Sequence, residues 1–224
     1  TDAGVHALQQ VIHFDTSVDR LEKAWVLGSN SYLPSDIRVL WAKQVSQSFD
    51  ARRSALRRHY RYLLLNRAIK PALYAKKLAW YWPKLDSQLM QQGADYLIGE
   101  HDFSSFRGSG CQSKTPMRSM QRIHVQRFGE LISIEVIANA FLLHMVRNIV
   151  GVLTAIGSGK RRPDWAQQVL QMRDRRVAGV TAPAGGLYLV GVVYPEHFAI
   201  PMASETRNGC SSLDEISRSY AYPC

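Results

Sequence analysis

The 224-residue chain carries Thr1-Asp2-Ala3-Gly4-Val5-His6-Ala7 at its start. An acid followed by a small residue and a glycine lets a bulky substrate come close to the carboxylate. The same heptad also reads as a polar turn leading into the apolar stretch Val11 to Phe14. Other chemical patterns fail. Gly157-Ser158-Gly159-Lys160 lacks the first glycine of a phosphate loop, and Arg161 stands where Ser or Thr should hold magnesium. The seven histidines have no partner at helical spacing beside an acid, so no metal site is implied. Cys111, Cys210 and Cys224 are odd in number and widely spaced, which points to a reducing cytoplasm.

Charge narrows the partners. Lys and Arg number 28 against 18 Asp and Glu, a formal net charge of +10. Arg52, Arg53, Arg57, Arg58 and Arg61 form one cluster, Lys160 to Arg162 a second, and Arg173, Arg175 and Arg176 a third. Such a field favours a polyanion, nucleic acid above all, although a solvated basic face has the same composition. The most apolar window, Ala138 to Ile156, is broken by His144 and Arg147, so no membrane span is expected. No secretory leader is visible.

The elements that must position these residues are read from periodicity. Strands are expected at Val11 to Phe14, Ile37 to Lys43, Tyr60 to Leu65, Gln121 to Phe128, Leu131 to Ala138 and Leu187 to Val193, with a hairpin at Gly129. Helices are expected from Val18, capped by Asp15, Thr16 or Ser17; at Asp86 to Ile98, stopped by Gly99; at Phe141 to Ile156; and at Trp165 to Met172. Phe103 to Pro116 reads as a loop. From Tyr60 onward the alternation of strands and helices argues for an α+β fold with an antiparallel sheet. Residues after Pro201 read as a poorly ordered tail.

Several segments, in order, resemble one family. Thr1 to Ala7 is similar to the signature of the pseudouridine synthases, in the branch that modifies the transfer-RNA anticodon arm. Leu33-Pro34-Ser35-Asp36-Ile37, Arg58-His59-Tyr60-Arg61-Tyr62 and Gly99 to Phe106 resemble further segments of that family. So do Phe141 to Gly151 and Gly186-Leu187-Tyr188-Leu189. The chain departs from the pattern at Asp50 and Arg53, and at Gln9, where a glycine is common and a side chain is expected to narrow the approach of RNA. The Gly-Arg that normally precedes the signature is not in the sequence.

The resemblance implies two ferredoxin-like, RNA-recognition-like α+β halves. Their sheets join, with helices on one face and the catalytic cleft between them. Residues 1–47 would be what remains of the first half, 48–197 the second half, and 198–224 the tail. It implies isomerisation of uridine to pseudouridine at transfer-RNA positions 38, 39 and 40 by a homodimer without cofactor. Asp2 matches the nucleophile, Arg147 the arginine that pairs with it, and Tyr60 the tyrosine against the target base. Leu187 would wall the uracil. Arg52 and Arg58 would contact phosphates, and Arg107 and Lys114 would contact RNA from the loop. A planar guanidinium suits a carboxylate, and a flat ring suits an extruded base. Read by themselves, Arg147 equally suits any buried carbonyl or carboxylate, and Tyr60 and Leu187 equally suit the core. An Asp so near an amino end is expected to fray, leaving this chain weakly active or inactive. Two alternatives remain: a non-catalytic RNA-binding module, which needs no Asp2, and a small-molecule enzyme, whose binding would not vary with salt.

Overall fold

A computed structural model describes residues 1–201; of the expected tail, 202–224 lie outside the described residues, and its first residue, Phe198, is instead buried in a core cluster. The chain forms β1 (His6–Ala7), α1 (Glu22–Tyr32), β2 (Arg57–Asn66), β3 (Ala79–Tyr81), α2 (Ser87–Asp95), β4 (Gly99–Asp102), β5 (Met117–Phe128), β6 (Leu131–Ala138), α3 (Met145–Gly157), α4 (Trp165–Met172) and β7 (Leu187–Val193). One sheet runs in the order β1-β7-β2-β6-β5-β4, with β3 also on β2. The α+β expectation holds. The sheet is mostly antiparallel, and its two short additions, β1 on β7 and β3 on β2, are parallel.

The ten-residue β2 is the spine. It pairs along its length with β6, while β7 flanks Arg57 to Tyr62 and β3 flanks Leu64 to Asn66. Alternation sends Tyr60, Tyr62 and Leu64 to the helical side, where Tyr62 and Leu64 join α2, α3 and α4 in one core. Leu63 and Leu65 enter a second cluster with Leu131 and Tyr188. The hairpin turns at Gly129, whose φ of +55° is a conformation that glycine adopts without strain. Met145, Val146, Ile149, Val150, Val152, Leu153 and Ile156 of α3 are all buried. At roughly 1.5–3 kcal/mol for each such side chain, this face decides where the helix lies.

Several expectations are corrected. Val11 to Phe14 and Ile37 to Lys43 form no strand. The Val39 N–H and C=O both pair with the Asn30 side-chain amide at 2.8 Å, so a neighbouring strand has nothing to bind there. The first helix begins at Glu22, not Val18: Thr16 spends its hydroxyl on the Val18 N–H, and Leu21 caps the helix without a side-chain bond. No residue of α1 is buried, which leaves its stretch tied to the sheet mainly through Val11 and Phe49 packed on Val192, Tyr194 and Phe198. Gly99 opens β4 at φ +108° instead of only ending a helix. By contrast, α4 and β7 keep the expected bounds.

Glu135 on β6 gathers the His59 ring at 2.8 Å and two guanidinium groups, Arg122 at 3.3 Å and Arg61 at 3.5 Å. The His59 hydrogen bond, then the charges of His59, Arg122 and Arg61, overcome the opposing effect of burial and hold the Glu135 carboxyl down at about 2. Because the folded value lies below the unfolded one, the stabilisation is present above the ordinary glutamate range and disappears as pH falls toward 2. Glu135→Gln is therefore expected to cost about 2 kcal/mol at neutral pH and to flatten stability between pH 5 and 2, measured by urea unfolding across that range.

Candidate active site

Asp2 sits in a tight turn closed by the Val5 N–H donating to the Asp2 carbonyl at 3.1 Å. Gly4 takes φ +78°, and a Cβ there would meet the Ala184 Cβ at 3.4 Å, so the turn lies directly against the segment leading into β7. Val5 packs on the helical-side core. His6 and Ala7 then pair with Tyr188 and Leu189. The His6 ring stacks on Tyr188 at 4.7 Å, and its Nε2 lies 3.0 Å from the Lys76 carbonyl. The expected fraying at Asp2 is thus opposed by a turn, a core contact and a strand.

The Asp2 carboxylate, about two-thirds covered, has Oδ2 3.6 Å from Nε2 of His144, the residue that caps α3. Tyr60 faces the same region: the Asp2 charge reaches it, and Phe141 meets its ring edge-on at 5.0 Å. Burial first, and the Asp2 charge in addition, raise the Tyr60 hydroxyl above the ordinary tyrosine range, with Arg58 opposing. The hydroxyl therefore stays protonated at neutral pH and can donate, and the ring can stack.

Arg147 lies one turn from His144, but its Nε donates to the Ala182 carbonyl at 2.7 Å. Among the described residues the Asp2 carboxylate meets the His144 ring, and no ion pair within 4.0 Å joins it to Arg147. The Arg147 guanidinium instead reaches the Tyr62 hydroxyl electrostatically. Tyr62, fully buried, donates to the Pro183 carbonyl at 2.8 Å, which makes it a core tyrosine as its alternation suggests. Leu187 is buried in the helical-side core, against which Tyr60 also packs. The structure so brings Asp2 to His144 at the start of α3 and within electrostatic reach of Tyr60.

The basic residues divide. Arg52 and Lys114 are exposed. Arg58 donates to the carbonyls of Asn139 and Arg52, and Arg107 holds its own loop through the carbonyls of Cys111 at 2.7 Å and Ser113 at 2.8 Å. That loop reaches the site, since the Gly108 N–H donates to the Leu143 carbonyl at 2.8 Å. Gln9 does not narrow any approach. It is buried, with Oε1 accepting from the Val192 N–H at 3.0 Å and Nε2 donating to Pro201 at 2.8 Å. Among the described residues no group of His, Cys, Asp or Glu could hold a metal ion.

Sequence reasoning missed His144, absorbed into the apolar helix whose start it marks, and the Ala182 carbonyl, which carries no side-chain signal. The segment bearing Ala182 is fixed by Arg175, Asn148 and Thr181: Arg175 donates to Asn148 at 2.9 Å and to Thr181 at 2.7 Å. It lies so close on α3 that a Cβ at Gly151 would fall 1.9 Å from the Val180 carbonyl. Gly151→Ala must push this segment away. We expect a loss of about 3 kcal/mol in urea unfolding, together with reduced activity, because the Arg147 anchor moves with it.

A model of the tRNA pseudouridine synthase family matches residues 94–195. The chain is 59% identical over 201 residues to the tRNA pseudouridine synthase A of Coxiella burnetii strain Dugway 5J108-111, covering 90% of this chain and 77% of that protein. It is 54% identical over 200 residues to the protein of that name from Methylococcus capsulatus, covering 89% and 74%. Against the Legionella pneumophila strain Lens protein of that name it is 52% identical over 200 residues, covering 89% and 76%.

Proposed function

Since the chain belongs to the tRNA pseudouridine synthase family, we propose that Asp2 is the nucleophile of an isomerase acting on tRNA. The observation that carries this reading is the Asp2 carboxylate set between the capped end of α3 and the Tyr60 ring. In the reaction the bond from the ribose carbon to uracil N1 breaks, the base turns, and a bond to uracil carbon 5 forms. One proton leaves carbon 5 and one is gained at N1. Atoms and electrons balance without an oxidant, a reductant or an energy source.

Asp2 attacks the ribose carbon as its bond to uracil N1 breaks, and the carboxylate leaves again as uracil carbon 5 bonds to that carbon. Tyr60 stacks on the extruded uracil and offers its protonated hydroxyl, and Leu187 lends an apolar floor. Arg147 steadies the wall of the site from Ala182 and turns to the carboxylate when RNA is bound. Catalytic contacts commonly tighten only in the complex. Flipping a stacked base costs a few kcal/mol, which phosphate contacts from Arg52, Arg58, Lys114 and the Arg107 loop offset. The target reading is uridines 38, 39 and 40 of the anticodon arm, in the cytoplasm, by a homodimer built from two α+β halves per subunit, residues 1–47 belonging to the first and 48–197 to the second.

Asp2→Asn tests the assignment. Pseudouridine formation in tRNA should fall by roughly 1,000-fold or more, with RNA affinity within about threefold of the unsubstituted protein. Undiminished turnover would overturn the role of Asp2. Binding without product in both forms would favour an RNA-binding module.

A further inference from the structure

The assignment of Asp2 leaves one neighbour without a role. His144 has φ +58° and ψ +7°, in the left-handed region that costs an L-residue with a Cβ roughly 1–2 kcal/mol. Three features hold it there. Its carbonyl accepts from the Asn148 N–H at 2.9 Å, which starts α3. The N–H of Met145, the next residue, donates back to the Leu142 carbonyl at 3.1 Å. Gly108 presses on it, so closely that a Cβ at that glycine would lie 3.0 Å from both His144 Nδ1 and the Leu143 carbonyl. A continuous helix from Phe141 would avoid the strain, yet the chain breaks at this residue and the ring meets the Asp2 carboxylate. Backbone strain at a ligand-facing position is a reason to look for function.

We propose that His144 is a positioning residue for the nucleophile, and the inference rests on Asp2 having that role. At 3.6 Å the imidazole is outside ordinary hydrogen-bond range, so it steers the carboxylate electrostatically and does not lock it. The contact engages Oδ2, and no cation lies within 4.0 Å of Oδ1 among the described residues. A carboxylate held from one oxygen keeps the other for the sugar. The ring that holds it comes from the capped end of α3, whereas Tyr60 is carried by β2.

His144→Gly separates the ring from the backbone, because glycine adopts the left-handed conformation freely. His144→Asn tolerates that region too but is too short to reach Asp2 as the ring does. Both variants should keep the thermal midpoint within about 5 °C and the KM for tRNA within about twofold, while kcat falls roughly 10- to 100-fold. Full kcat in either variant, or a loss confined to KM, overturns the proposal. Asp2→Asn is assayed beside them. If it is inactive while His144→Gly is fully active, only the role of His144 fails; if it turns over normally, the reading of Asp2 fails first. The His144 ring resonance, followed at fixed pH, reads the contact without turnover. It should move in Asp2→Asn, and an unmoved signal overturns the pairing.

Discussion

In the role proposed for it, the Asp2 carboxylate has to be held in one direction while a base-sized ring is given room beside it. Here the carboxylate belongs to a turn of a few residues, too short to orient anything alone. Its direction is borrowed from three places far apart in the chain: the segment before β7 that backs Gly4, the capped end of α3 that offers His144, and the spine strand β2 that carries Tyr60. The rest of the fold can be understood as the support those three need. The β2 strand is paired on both edges, α3 is driven into the core by its apolar face, and the segment from Arg175 to Ala182 is laid on α3 by polar contacts to Asn148.

Much of this support was legible in the chain. Continuous apolar runs announce β2, β6 and β7, and helical spacing announces α2, α3 and α4, because burial selects for these patterns directly. The failures have a common physical origin. Val11 to Phe14 and Ile37 to Lys43 are apolar enough for strands, but a strand exists only if a partner edge is available, and a side-chain amide took that place at Val39. The reverse error occurred at β1 and β4, which are short and carry polar residues, yet meet edges that accept them. Pairing is a property of two segments, and each was read alone.

The site divides along the same line. The resemblance supplied Asp2, Tyr60, Leu187 and Arg147; the Asp2 charge reaches Tyr60, and Leu187 lies in the core against which Tyr60 packs. The structure places the Arg147 guanidinium on a backbone carbonyl, the alternative its place in an apolar helix left open, although nothing in the side-chain pattern singles out Ala182. Arg107, expected on RNA, is occupied with closing its own loop. His144 was hidden because its role depends on a single left-handed residue, which moved the helix start from Phe141 to Met145. Gln9 looked obstructive only while its side chain had no assigned direction; the N–H of Val192 supplied one.

The link between the turn and the sheet is two residues long, His6 and Ala7, on the outermost position of the strand order. Opening such an edge exposes little apolar surface and breaks few backbone bonds, so it is far cheaper than melting β2, β6 and α3 together. Cooperative unfolding therefore reports on the platform and is nearly blind to whether the reactive corner is seated. Two samples with identical melting curves can differ in the fraction of molecules ready to react, and only a probe local to that edge distinguishes them.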